Sequence, residues 1–392
     1  MLRSIELFHV AVPLKTKIKH ASHERTTSDN LIVRATLDSG HVGYGEGVPR
    51  SYVTGETIET TFAALSAFDA ARIFVGASDF SGAVDRVGAF QLPETANDPR
   101  GMFGNAARCA LELALLDAVS RKFDRSFTDA VRHIAVQLAN MHASPQKVRY
   151  SGAITATSPR KERISAFKMR IYGFHQVKVK VGVAGQDDVT RMAMFRRILG
   201  NRMDIRIDAN EAWSAGELIE RVELIRQFRP TAIEQPVPHA EVSALAEMRP
   251  RLGIPVMLDE SLCGMPDARA AILAKTCDLF NVRLSKCGGI AQSLQILSLG
   301  IRAGIGAQLG CHPGETGILS AAGRHFAANV SGLAYVEGSY DRHVLAENPV
   351  NEDLTFGYGG WAKPLKGPGL GVTINPETLA RMTVAHKEIS YA

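Results

Sequence analysis

The sequence predicts an α/β fold: a TIM-type barrel of parallel strands preceded by a small α+β unit. Three observations carry this. From about Val148 short apolar β-prone runs alternate with amphipathic helical segments, the sequence form of βα units around a parallel sheet. Eight such runs can be drawn. Polar residues stand at the C-terminal ends of successive runs, the end at which barrel active sites are built.

Taken in order, residues 1–50 read as strands. IELFHVAV, NLIVRATL and HVGYGEG, with an Asp38-Ser39-Gly40 turn between the last two, form an antiparallel meander. A helical region follows, in which 105–119 places apolar residues on most sides and is expected to be a well-buried helix. The barrel strands are VRYSGAI, QVKVKVG, DIRIDA, TAIEQ, PVMLDE, LFNVRLSK, AQLGCH and AYVEG. Ser214 and Glu217 make a capping box ahead of a helix carrying Leu218, Ile219, Val222 and Ile225. Ile290, Leu294, Leu297 and Ile301 mark another helix, closed by Gly304. The Gly- and Pro-rich tail at 357–372 cannot be helical and is expected to return to the first unit as loop and strand.

The bulk numbers exclude several classes. A chain of 392 residues exceeds the usual single domain of roughly 100–200 residues, so a barrel with an accessory unit fits. Hydrophobic residues at 45% and charged residues at 22% give an ordinary globular balance. The net charge of +5 arises from 45 basic and 40 acidic residues without a basic block, so a small anionic substrate suits it better than nucleic acid. Five cysteines, odd in number and without C-x-x-C, indicate neither a disulfide framework nor a zinc site and point to a reducing cytoplasm. The N-terminus alternates like a strand and is not read as a signal peptide. No apolar run approaches the roughly 20 residues that span a bilayer.

The chemistry lies in Lys180, Asp208, Glu234, Asp259, Lys286 and His312, separated by 28, 26, 25, 27 and 26 residues. So regular a spacing means one per βα unit, converging at one mouth. Any one carboxylate alone would be read as a helix cap or a loop ion pair. Three in consecutive units would repel and raise one another's pKa, and a hard cation removes that cost. Asp208, Glu234 and Asp259 are therefore candidate ligands for Mg²⁺, with Mn²⁺ able to substitute and zinc disfavoured by the lack of Cys and His donors. In QVKVKVG the valines share one face and Lys178 and Lys180 the other. Lysines enclosed in a barrel call for anions or a function. With Lys286 expected across the mouth, a metal and a second ammonium would lower a lysine's pKa toward that of a general base. This set suits removal of a proton α to a carboxylate, whose enolate product needs a cation where charge develops.

These residues resemble the enolase superfamily, and within it the muconate-lactonizing subgroup (muconate cycloisomerase). The resemblance rests on Lys178-Val179-Lys180, Asp208-Ala209-Asn210 with Trp213, Glu234-Gln235-Pro236, Asp259-Glu260-Ser261 and Lys286-Cys287-Gly288-Gly289. A Lys or His base beside Mg²⁺ is general to enolase-type sites. The resemblance implies a (β/α)7β barrel at 131–345, an N-terminal α+β capping domain at 1–130, a segment at 346–392 returning to the cap, and often homo-oligomers. It further implies Lys180 and Lys286 as the acid/base pair, Lys178 at the substrate carboxylate and Asn210 in support. Loops 14–30, with Lys15, Lys17, Lys19, His20, His23 and Arg25, and 48–57 would close over the mouth.

Two departures bear on substrate. Dipeptide epimerases of the subgroup carry Asp-x-Asp at the eighth strand, where this chain has Tyr335-Val336-Glu337-Gly338-Ser339. At the seventh, a Met-Leu-Glu pattern is replaced by Cys311-His312-Pro313-Gly314-Glu315, which makes His312 and Glu315 candidate substrate contacts. With Lys286 at the sixth strand, a His-Asp base is not indicated. The reading is a cycloisomerase or a racemase/epimerase, with a syn-dehydratase (succinylbenzoate synthase-like or acid-sugar dehydratase) as alternative. A Schiff-base aldolase would use the same lysines but leave the carboxylates without a role.

Overall fold

The computed structural model describes all residues except 20–23, 94–97, 99, 101, 137–140, 156–157 and 392. The N-terminal meander is β1 (Leu2–Lys19), β2 (Glu24–Leu37) and β3 (Val42–Gly47), and β14 (Thr383–Ser390) from the chain's far end joins it in the antiparallel order β14-β1-β2-β3. The expected return of the tail is thus completed by a strand, reached through a short helix at Pro376–Met382.

β1 and β2 outrun their predicted lengths. Their pairing continues through Val12–Ser28 and Pro13–Thr27, shifts register, and resumes at Ile18–Arg25 and Lys19–Glu24. Pro13 has no N–H to donate, and the shift follows directly after it. Segment 14–30, expected as a loop, is therefore largely a two-stranded arm. Its Lys15 amine donates to the Arg342 carbonyl (2.6 Å) at the end of the barrel. His20, His23 and the Lys19 side chain lie outside the described residues.

Of the four helices that follow, α1 (Ile58–Ser66) and α3 (Asn105–Lys122) pack on this sheet, while α2 (Phe80–Ala89) and α4 (Phe127–Ala135) pack against α3. α3 is buried on nearly every side, as its all-round apolar sequence requires. A close approach of β3 does this. Gly43, Gly45 and Gly47 share one face of β3, and a Cβ on any of them would strike the α3 backbone, at Ala114 and Ala118, Ala110 and Ala106 respectively. Steps of two along the strand match steps of four along the helix, so two smooth faces lie in contact.

The second sheet has eight parallel strands among the described residues. In chain order β5 (Gly152–Ile154), β6 (Gln176–Lys180), β7 (Asp204–Asp208), β8 (Ile233–Glu234), β9 (Val256–Leu258), β10 (Leu279–Val282), β11 (Gly306–Leu309) and β12 (Leu333–Val336) are also neighbours in space. The helices between them are α5 (Pro159–Ile171), α6 (Asp188–Leu199), α7 (Ala215–Arg226), α8 (Leu245–Leu252), α9 (Met265–Ala274), α10 (Ile290–Arg302) and α11 (Gly317–Asn329). That is the (β/α)7β alternation. The Ser151 N–H donates to the Val336 carbonyl (2.8 Å), drawing the first strand to the last. The Ser214–Glu217 capping box stands at the start of α7. β4 (Val148–Arg149) pairs with β13 (Trp361–Ala362), tying the tail across the barrel.

Buried carboxylates weld the two sheets' layers together. Glu112 of α3 accepts from the N–H groups of Ile290 and Ala291 at the start of α10. Glu46 of β3 does the same for Thr316 (2.8 Å) and Leu319 (3.0 Å) at the start of α11. Each satisfies donors that a helix N-terminus leaves open and meets the positive end of its dipole.

Candidate active site

Alternation along the strands decides which side chains enter the barrel. In β6, Val177 and Val179 are fully buried against the helix layer while Lys178 and Lys180 turn inward. By the same two-residue period Arg206 and Asp208 of β7, Glu234 of β8 with Ala232 just before it, and Met257 of β9 with Asp259 just after it share the inner face. Asp208 and Glu234 are register partners on adjacent strands. Asp259 follows β9 directly, so three consecutive staves end in a carboxylate.

These carboxylates lie among cations. The Lys178 amine is 3.3 Å from Asp208 Oδ2, 3.3 Å from Glu234 Oε1 and 3.0 Å from Glu337 Oε2. Burial pulls its pKa down, but Glu234, Glu337 and Asp208 together outweigh that and hold it well above the usual lysine value. Glu234 is fully buried; that burial and the neighbouring carboxylates Asp208, Glu337 and Asp259 push its pKa up to about 8 against the pull of Lys178. Asp259 is held down at about 2, because Arg283 and Lys286 overcome the cost of its burial. Lys180 is only partly buried, and burial lowers its pKa in spite of Asp208 and Glu260.

The set fits a hard divalent cation in its donor chemistry: all three are carboxylates, and Glu234, raised first by burial, is raised further by like-charge crowding that such a cation relieves. As the side chains lie, they are turned onto Lys178, Arg283 and Lys286, and among the described residues no three His, Cys, Asp or Glu side chains form a ready-made cage.

Lys286 does not stand where the spacing placed it. It is 1% exposed, and its amine donates to the Asp259 carbonyl (2.6 Å), Asp259 Oδ1 (2.7 Å) and the Asn281 carbonyl (2.9 Å). A fully bonded, sealed ammonium braces Asp259 rather than facing the mouth. The residue that does face it is Arg283, the first beyond β10. Its guanidinium pairs with Asp259 and comes within 3.7 Å of Glu234 Oε1, and its Nε is buried without a hydrogen-bond partner. Strand parity was the signal: Asn281 donates to Glu234 (2.8 Å), so Asn281 and Arg283 face inward and Lys286, three further on, is out of phase.

Asn210 lies beside the carboxylates: its N–H donates to Asp208 Oδ1 (3.0 Å) and its amide to Glu260 (3.4 Å). Asn210 and Gln235, each just beyond a carboxylate-bearing strand end, hold φ values of 45° and 36°, left-handed conformations of the kind that gather at functional sites. His312 is 4% exposed with Nε2 unpartnered, and burial plus the cations Arg283, Arg50, Lys286 and Arg25 drive its pKa well below normal. Glu315 turns back to accept the His312 N–H (2.5 Å) and so shapes its own loop. Arg206 and Glu337, a buried ion pair beneath Lys178, and Arg50 beside His312 were not singled out from sequence.

Residues 162–378 match the family described as enolase C-terminal domain-like. The chain belongs to the enolase superfamily. It is accordingly a metal-dependent enzyme of the enolate-forming kind. This superfamily member is 29% identical to a D-Ala-D/L-Ala epimerase of Cytophaga hutchinsonii over 97% of its own length and 98% of the relative's. It is 26% identical to an N-succinyl-L-Arg/Lys racemase of Bacillus cereus, over 98% of each. The crystal structure of the Bacillus cereus N-succinyl Arg/Lys racemase superimposes with a TM-score of 0.83 at 25% identity, covering 99% of both chains. The Cytophaga hutchinsonii dipeptide epimerase, complexed with Mg and D-Ala-L-Val, does so at 0.82 and 26% over 100% of both. A muconate cycloisomerase variant shares the fold, at a TM-score of 0.79 and 20% identity over 98% of this chain and 99% of that one.

Proposed function

We propose that the chain removes the proton α to the carboxylate of a small substrate, with Lys180 as the base and Asp208, Glu234 and Asp259 holding Mg²⁺. The observation that carries this is a partly buried lysine of lowered pKa at one strand end, beside three carboxylates on the next three strand ends. Bound there, Mg²⁺, or Mn²⁺ in its place, supplies positive charge where the enolate forms.

The protein groups do the rest. Lys180, drawn toward neutrality by burial, is suited to accept the proton. Lys178 stays charged and is the contact for the substrate carboxylate. Asn210 fixes the Asp208 carboxylate, and the unsatisfied His312 Nε2 is a further polar contact, with Glu315 holding its loop. Lys286 is withdrawn from the acid/base pair, since its amine is saturated by Asp259 and Asn281. Residues 131–345 are taken as the catalytic barrel, with 1–130 and 346–392 as its cap, and a homo-oligomer is expected on family grounds.

The relatives' activities support racemisation or epimerisation and make N-succinyl amino acids and dipeptides the first substrates to test. Arg283 favours a second reading, cycloisomerisation or syn dehydration, because it puts no lysine opposite Lys180. The test is incubation with Mg²⁺ in D₂O, following α-deuterium by mass spectrometry. Lys180→Met should lower exchange by at least ~10²-fold, the range of a lost general base, with Mg²⁺ affinity retained. Exchange that persists in Lys180→Met, or that is indifferent to EDTA, would remove this reading.

A further inference from the structure

Around a ring of eight strands β6 and β10 are four apart, so their ends oppose each other across the mouth. The carboxylate-bearing ends of β7, β8 and β9 lie between them. A ligand held over those carboxylates therefore presents one face to Lys180 and the other to Arg283.

The two ends differ in kind. An amine can shed and regain a proton near neutral pH when burial weakens its ammonium form, whereas a guanidinium stays charged throughout. Arg283 is further fixed by its pairing with Asp259 and by the proximity of Glu234. The nearest amine on that side, Lys286, has all three donors occupied.

We propose that Arg283 replaces a second base with a permanent cation, so that proton transfer runs through Lys180 alone, on one face of the substrate. This rests on the reading given above. In the step, the neutral Lys180 amine takes the α-proton, and the C–H electron pair passes into the enolate. The ammonium so formed has two outlets. It returns a proton to the same face of the α-carbon, with configuration retained. Alternatively the enolate collapses to a C=C bond as the bond from the β-carbon to a leaving oxygen breaks, and Lys180 gives its proton to that oxygen. The second outlet is a syn elimination, and its reverse is an intramolecular addition of the cycloisomerase type. The productive substrate class is thus a carboxylate bearing an oxygen leaving group at the β-carbon, syn to the acidic proton. An N-acyl amino acid would exchange its proton but keep its handedness.

The full chain with Mg²⁺ in D₂O, given each enantiomer of N-succinylalanine separately, tests this by proton NMR and optical rotation. One enantiomer should exchange at least ~100-fold faster than the other, the scale of a missing general base, while rotation holds steady. Arg283→Lys should then admit exchange of the slow enantiomer and a decay of rotation. Calorimetric Mg²⁺ titration should show that this variant binds the ion at least as tightly as the parent, so the gain reports the amine and not the metal. Decay of rotation in the parent, in step with exchange, would overturn the single-faced scheme. If His312→Asn then abolished exchange of one enantiomer only, the second base would be His312. Absence of exchange from either enantiomer with Mg²⁺ bound would remove the enolate reading itself and the inference with it.

Discussion

At the scale of single residues, the site is governed by which buried charges are matched. Lys286 shows how a lysine in a barrel can be structural. Its ammonium is removed from water and answered by two carbonyls and a carboxylate, and with Arg283, the stronger influence, it holds the Asp259 pKa at about 2. Taking away one member of a buried pair strands the other, at a cost of about 3–5 kcal/mol. Lys286→Met should therefore lower unfolding stability in urea titrations, by less than that figure because Asp259 keeps a second partner in Arg283. Arg283, still paired with Asp259, keeps the site partly assembled, so residual α-proton exchange should survive in the folded fraction. Complete loss of exchange at unchanged stability would instead restore Lys286 to the acid/base pair. The regular spacing of polar residues drew attention to Lys286 because it gives intervals of 27 and 26. Interval counts positions along the chain but not the phase of the strand, and phase is what turns a side chain inward.

At the scale of elements, periodicity made most of the barrel legible. Runs such as QVKVKVG and DIRIDA alternate or carry a polar end, and helices announce themselves by caps such as Ser214 with Glu217. The outer half of the first hairpin was harder to read. Pro13 interrupts the strand pattern and Lys15, Lys17 and Lys19 follow it, so the pairing of this stretch depends on a partner strand and on the barrel edge it rests against. Nor did the helix at 105–119 disclose its partner, since an all-round apolar helix says that it is buried without saying by what. The answer lay in HVGYGEG, whose glycines at every second position leave a flat face for α3. Gly45→Ala tests that contact. Its φ is ordinary, so the added methyl costs nothing in backbone strain, but it meets helix backbone, which cannot rotate aside. Overpacking of this kind costs roughly 1–3 kcal/mol. The melting temperature should fall accordingly, whereas a Gly40→Ala control, in a left-handed turn with open space around it, would lose stability through backbone strain alone.

At the scale of the molecule, the cap and barrel are bound by carboxylates that cross between them, and the proposed site would be bound by a divalent cation. An ion that binds only the folded chain stabilises it by about 2.7 kcal/mol at a hundredfold excess over its Kd. Mg²⁺ should therefore raise the thermal midpoint in the parent, EDTA should reverse the rise, and Asp208→Asn should blunt it. The crossing carboxylates impose a pH dependence of a different origin. Glu46 is sealed between β3 and the start of α11, and burial pushes its pKa to about 7 although Thr316, Leu319 and Asn30 all donate to it. Glu56, fully enclosed at the start of α3, is also raised to about 7. Their ordinary value is 4.5. Between about 4.5 and 7 the folded chain therefore holds protons at these positions that the unfolded chain has released. Stability from this source is complete below the lower value and is lost as pH rises through the upper one. Urea midpoints from pH 5 to 8, corrected for other titrating groups by comparison within one series, should accordingly decline more steeply in the parent than in Glu46→Gln. The variant should begin from a lower stability, by about 1–3 kcal/mol, because its amide N–H₂ faces donors it cannot bond. Glu56 remains to titrate, so part of the slope should persist. Parallel curves for parent and variant would show that Glu46 is ionised in the folded state across this range, held there by the α11 N–H groups and the helix dipole against the cost of its burial.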